Sequence, residues 1–183
     1  MKIKNLASVQ AGPFGTQLHK DEYVAKGIPM LNAKNVGNGV VDLTSVEYVS
    51  EAICRRLPRY VIKKGDILFG RAGSIERHTY IDDDYDGAFQ GTNCIRIRCE
   101  DINVSKYLSY YLWLPQLKKN IENNAGGSTM SYLSTDLLND ININLPSKDV
   151  IIKVVDVLSV IDKKIRNNNK INDNLPYYSL MVA

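Results

Sequence analysis

Apolar and polar side chains alternate strictly over Cys94–Cys99, the stretch CIRIRC, which predicts a strand with one apolar and one polar face. GIPMLNA (27–33) is apolar without alternation and reads as a buried strand, followed by the turn-rich KNVGNG. A turn at Lys64-Gly65-Asp66 leads into a strand through Ile67–Phe69, and HTYI (78–81) predicts another. Looser alternation predicts strands over Met1–Gln10 and over DININL, which runs up to Pro146. Helical periodicity replaces it in three places. Ser50 caps a short helix, EAICRRL, that Pro58 ends, and Ser134 caps TDLLN. Between about 105 and 123, Leu108, Tyr111, Leu112 and Leu117 lie on neighbouring helical faces, with Pro115 predicting a kink or two shorter helices.

The last element differs in kind. Ile151, Val154, Leu158, Ile161, Ile165, Asn168, Asn172 and Leu175 follow one another at spacings of three and four, the seam of a coiled coil over about four heptads. A helix from Lys148 to Leu175 would be roughly 42 Å long at the usual rise per residue, so it is expected to project or to pair. The plainer alternative is an amphipathic helix folded onto its own domain. Pro176 halts it, and YYSLMVA follows.

Composition narrows the class. The chain has 183 residues, 44% hydrophobic and 23% charged, enough to bury a core and to argue against wholesale disorder. Its net charge of +3 permits nucleic-acid binding without demanding it. Three cysteines, Cys54, Cys94 and Cys99, match no zinc spacing and read as reduced thiols of a cytoplasmic protein. No apolar run reaches the roughly 20 residues of a membrane span.

Catalytic chemistry finds little support. His19 and His78 have no metal or triad partner nearby in sequence, and a solvated or hydrogen-bonded surface position is expected for each. GPFG and GRAGS lack the lysine and hydroxyl spacing of a phosphate-binding P-loop. The acidic DDDYDG reads as a solvated turn rather than a calcium loop. NLPYY (174–178) only faintly resembles the Asn-Pro-Pro-Tyr stretch of amino-methyltransferases, and no cofactor-binding glycine motif precedes it.

The basic and amide side chains say more. Arg55, Arg56, Arg59, Lys63 and Lys64 cluster in one helix and the turn after it, Arg71 and Arg77 flank a glycine-serine loop containing Ser74, and Lys118 and Lys119 lie on the later helix. Glycine turns elsewhere carry Thr16, Gln17, Asn32, Lys34, Gln90, Thr92, Asn93, Ser128 and Thr129, the side-chain types that read base edges. Each alone is more often an ordinary exposed polar group. Their repeated pairing with glycine turns favours a binding role. The uncharged loop Gly126–Tyr132 suits base edges or the turn beneath them, and a phosphate cradle would tolerate the same composition.

The order of several stretches resembles the DNA specificity subunits of type I restriction-modification systems. These are GPFGTQL (12–18), GIPMLNAKNV (27–36), KKGDILFGRAGSIER (63–77), GTNCIRIR (91–98), GGSTMSYLSTDLLNDININLPS (126–147), and a heptad helix ending DKKIRNNNKINDNL (162–175). The resemblance spans nearly the whole chain and implies an α/β target recognition domain with a mixed β-sheet over residues 1–146. A long coiled-coil helix over 147–175 for pairing, spacing and methyltransferase docking is implied next, and a tail over 176–183. It further implies a non-catalytic subunit with no cofactor of its own. Its partners would be double-stranded DNA, methyltransferase subunits and, through them, restriction subunits, with S-adenosylmethionine held by the methyltransferase. Family members usually carry two recognition domains and two helices, and this chain has one of each. It is therefore expected to be a half subunit, a split-gene product or a piece of a longer protein, and to form a homodimer through the helix.

Overall fold

Among the described residues eight short strands and five helices form, five of the strands and all of the helices where the patterning predicts them. The computed structural model describes residues 1–126 and 132–174. The chain divides into two compact units, Met1–Leu145 and Pro146–Ala183.

The first unit holds two four-stranded sheets. One runs in the order β1 (Ala7–Ala11), β8 (Cys94–Cys99), β5 (Ile67–Gly70), β6 (His78–Tyr80), and is antiparallel throughout. The other runs β2 (Tyr23–Val24), β4 (Glu47–Val49), β3 (Ile28–Leu31), β7 (Phe89–Gln90), with β3 and β7 parallel. Period-two alternation gives the first sheet two faces. Ile67, Phe69, Ile95 and Ile97 on one face pack with Leu108 and Leu112 of α2 (Ile102–Leu112), Ile121 of α3 (Pro115–Asn124) and Leu138 of α4 (Thr135–Asp140). Leu68 and Cys94 on the other face meet Leu31, Val36, Ile62, Ile81 and Ala88. A third cluster joins Met30, Val49, Tyr60 and Phe89 to Ile53 of α1 (Glu51–Arg56).

Local signals account for the helix ends. Ser50 Oγ accepts from the Ile53 amide at 3.4 Å and Ser134 Oγ from the Leu137 amide at 3.1 Å, each satisfying an orphan N–H. Pro115 divides the predicted long helix in two by standing at the start of α3, where its missing N–H costs nothing. Gly65, at φ +91°, makes the turn into β5.

Three expectations are corrected. Residues 3–5 form a 3-10 turn, so the first strand is confined to Ala7–Ala11. DININL keeps its alternation, with Ile141 and Ile143 buried, yet forms only an isolated bridge between Asn142 and Lys2. His78 lies in the interior. Its Nε2–H donates to the Ser109 carbonyl at 2.9 Å, and its ring stacks on Phe69 and packs against Trp113 with centroids 4.9 and 4.3 Å apart. Burial pushes its pKa down to about 4, so the imidazole is neutral.

The polar face of β8 is covered too. Arg98 makes a two-pronged contact with the buried Asp66 carboxylate (Nε–Oδ1 2.7 Å, Nη2–Oδ2 2.6 Å), while Arg96 lies 3.9 Å from it and donates to the Arg59 carbonyl and Gln10 Oε1. Burial lowers the Arg96 pKa to about 10, Asp66 opposing the shift, and the group stays charged at neutral pH.

In the second unit, α5 (Lys148–Asn174) is one uninterrupted helix of 27 residues. Of the predicted seam, Ile151 is buried, Val154 and Leu158 are half-buried, and Ile161, Ile165, Asn168 and Asn172 are exposed. Val150, Val157, Val160 and Ile171 are exposed as well, so the uncovered apolar stripe is wider than the seam read from sequence. The tail from 175, including NLPYY beyond Asn174, lies outside the described residues.

Candidate nucleic-acid interface

The ends of β1, β3, β5 and β7, the last leading into Gly91, deliver their loops to one rim of the first unit. β1 runs into Gly12, whose amide donates to Cys94 O at 2.9 Å. β3 runs into Asn32, and Leu31 O accepts from the Gly91 amide at 2.9 Å. β5 runs into Arg71, whose amide donates to Asn93 O and whose carbonyl accepts from Leu133, both at 2.9 Å. The Asn93 amide points at Asn32 Oδ1, 3.4 Å away. Glycine permits this convergence: a Cβ on Gly12 would stand 1.9 Å from Gly91 O, and one on Gly91 would stand 2.1 Å from Asn32 Oδ1. Stretches separated by up to 82 residues in sequence are thus locked together by main-chain contacts.

Arg71 is central. Its guanidinium carbon sits over the Tyr132 ring at 4.5 Å from the centroid and over the Phe14 ring at 5.2 Å, while both rings remain largely exposed, at 42% and 56%. Arg71 Nε is buried without a hydrogen-bond partner, and no carboxylate among the described residues pairs with the head group. Phe14 is the rim residue that sequence reasoning missed. An aromatic side chain placed between Pro13 and Gly15 in a turn was the available signal.

The other expected site residues divide into three groups. Thr16, Thr92 and Asn93 belong to the rim loops, Thr16 and Asn93 exposed and Thr92 half-buried; Ser74 and Arg77 are exposed on the loop after β5, Arg77 3.6 Å from Glu76. Basic groups on the flank are already partnered: Arg56 reaches Glu22 at 2.8 Å and the Gln17 carbonyl, Arg59 packs on Tyr60, Lys34 pairs with Glu47, and Arg55 with Glu51 on its own helix. Two amides serve the framework. Gln17 Oε1 accepts from Tyr60 Oη at 2.7 Å, and the buried Gln90 donates to Gln10 O and Cys94 O. Of the loop after Gly126, Tyr132 is described, and Ser128 and Thr129 lie outside the described residues. Lys118 is elsewhere, over Trp113 on the helical side.

This arrangement can bind and has little to react with. The described residues include no cluster of three potential metal ligands. The cysteines are free, and burial raises the pKa of all three, Cys99 to about 11 and Cys94 further, so neither is a ready thiolate. Carboxylates of the acidic turn are drawn to Lys64, whose ammonium pairs with Asp83 and whose main-chain amide donates to Asp86 Oδ1.

Two antiparallel and mixed sheets backed by helices, a rim of converging polar loops and a separate long helix define a recognition module. A family model described as the type I restriction modification DNA specificity domain matches residues 1–177, and the chain belongs to that family. The type I restriction enzyme MjaVIII specificity subunit of Methanocaldococcus jannaschii is 25% identical over 176 residues, 93% of this chain and 40% of that protein. The type I restriction enzyme HindI specificity subunit of Haemophilus influenzae is 29% identical over 123 residues, 62% of this chain and 26% of that protein. The crystal structure of a type I restriction-modification system S subunit from M. genitalium shares the fold, with a TM-score of 0.64 at 19% identity across 91% of this chain and 39% of that one. The chain thus spans well under half the length of these relatives.

Proposed function

We propose that this chain is a non-catalytic DNA-recognition module whose first unit reads a half-site of double-stranded DNA and whose helix α5 assembles it with partners. The single observation that carries the reading is the main-chain convergence of four loops around Arg71 in a chain of this family. Rim loops supply base-reading side chains, and Arg55, Arg59 and Arg77 on their flank supply positive charge for phosphates. Methyl transfer to adenine and cleavage belong to methyltransferase and restriction subunits. Free thiols suit a reducing compartment, and we assign the chain to the cytoplasm.

The uncovered stripe of α5, with Val157, Val160, Ile161, Ile165 and Ile171 exposed, supports pairing with the helix of a second copy, giving a two-fold dimer and a bipartite target. Ile161→Asp with Ile165→Asp should convert a dimer at micromolar concentration into a folded monomer by sedimentation. Wild type that is monomeric there overturns the dimer.

For recognition itself, the purified chain should retard duplex DNA in a salt-dependent manner and transfer no methyl group alone, while conferring sequence-specific adenine methylation on an added methyltransferase subunit. Methylation by the chain alone would sink the reading. The same stripe favours a second reading, an assembly protein whose recognition domain no longer binds DNA; it predicts no retardation at any salt concentration.

A further inference from the structure

Arg71 has an unusual environment for an exposed-rim arginine. Two aromatic rings take up its flat surface, its Nε is buried, and its backbone is pinned on both sides by hydrogen bonds to Asn93 and from Leu133. The terminal pair of N–H-bearing nitrogens, without an ion-pair partner among the described residues, remains for a ligand at the meeting point of the loops. A guanidinium fixed in this way has already lost most of its rotamer freedom, so little more is lost when it forms hydrogen bonds. The geometry points to Arg71 as a preset guanine-reading fork, donating from its Nη groups to O6 and N7 of one guanine in the major groove. Phe14 and Tyr132 are its positioning residues.

The ring environment separates this from a phosphate contact. A phosphate is strongly hydrated and would have to shed water against two largely apolar ring faces. Base edges tolerate apolar neighbours, as the thymine methyl does, and guanine alone presents two acceptors side by side to an arginine fork. Charges suited to phosphate lie farther out, on Arg55 and Arg77, where the side chains are well exposed. This inference rests on the DNA-recognition reading and adds to it the identity of one base and the residue that reads it.

The test begins with selection of preferred duplexes from a random pool by the full chain, with wild type and Arg71→Ala in parallel. The wild-type site should contain an invariant guanine, and Arg71→Ala should bind that site about tenfold to a hundredfold more weakly with its preference at that position gone. Replacing that guanine by 7-deazaguanine, which removes N7 alone, should weaken wild type and leave Arg71→Ala unchanged. Arg71→Lys, which keeps the charge without the fork, should behave like alanine at that position, whereas Tyr132→Phe should retain the preference and Tyr132→Ala should blur it. Thermal melting of each variant separates loss of reading from loss of fold. A selected site without guanine overturns the inference, as does a loss equal on all duplexes, which marks a phosphate contact. A wild type that selects no sequence sinks the DNA-recognition reading itself, whereas a wild type that selects a site Arg71→Ala still prefers sinks only this inference.

Discussion

Arg98 and Arg71 lie within one unit and are used in opposite ways. Arg98 spends its fork on the buried Asp66 in a two-pronged ion pair; Arg71 leaves the end of β5, rests on two rings and has no ion pair among the described residues. The first arrangement satisfies a charge that burial would otherwise make costly, and the second holds a charge ready for a ligand. Arginine content says nothing about which is which. What separates them is whether the polar face of the strand is covered, as the main chain of Arg59 and Val61 covers β8, or the strand ends in a glycine-bounded loop.

Cutting the interior pair should have the largest effect. Asp66→Ala strands Arg98 and Arg96 without their shared carboxylate and should destabilise the chain by about 3–5 kcal/mol in denaturant titrations. Acid tests the same interior by a different group. His78 is held neutral with a pKa of about 4, below the ordinary value near 6.5, so the unfolded chain takes up a proton that the folded chain refuses. Its contribution is intact above about pH 6.5 and should fall by roughly 3 kcal/mol as pH drops to about 4. His78→Phe should flatten that part of the stability profile. Gly12→Ala probes the rim's framework: the added methyl meets Gly91 O, so the loops must part, costing about 1–3 kcal/mol and lowering DNA affinity more than global stability would explain. At the small end, Arg55→Ala removes an exposed pair with Glu51 and should change stability by less than about 0.5 kcal/mol, while reducing the salt slope of DNA binding by about one.

Much of this was legible beforehand where cause is local. Ser50, Ser134 and Pro115 act within one turn of themselves, and β8 shows its period directly. The misreadings come from tertiary cover. Alternation in β8 announces a polar face, yet nothing in CIRIRC tells that Asp66 and the main chain of Arg59 and Val61 lie over it. His78 sits among polar neighbours in sequence and among Phe69 and Trp113 in space. β2 and β7 have two residues each, too few for any period to register, whereas the β-branched and aromatic Val46, Tyr48 and Val49 could have disclosed β4. At the rim, loops of suitable composition were recognisable as a set. Their convergence depends on contacts such as Gly12 with Cys94, and Gln17 and Gln90 proved to brace the framework because Tyr60 and Gln10 happen to face them.

The first residues are stitched to nearly the last of the unit: Met1 O accepts from the Ile143 amide, and the Ile3 amide donates to Ile141 O. β1 in turn finds its partner only at β8. On a ribosome residues 1–5 therefore emerge long before their partners and wait until residue 143 has cleared the exit tunnel. Such sequence-distant closure delays folding. Stalled chains ending near residue 135 should accordingly stay protease-sensitive over the segment 1–5, with protection arriving only once the 141–143 segment is free.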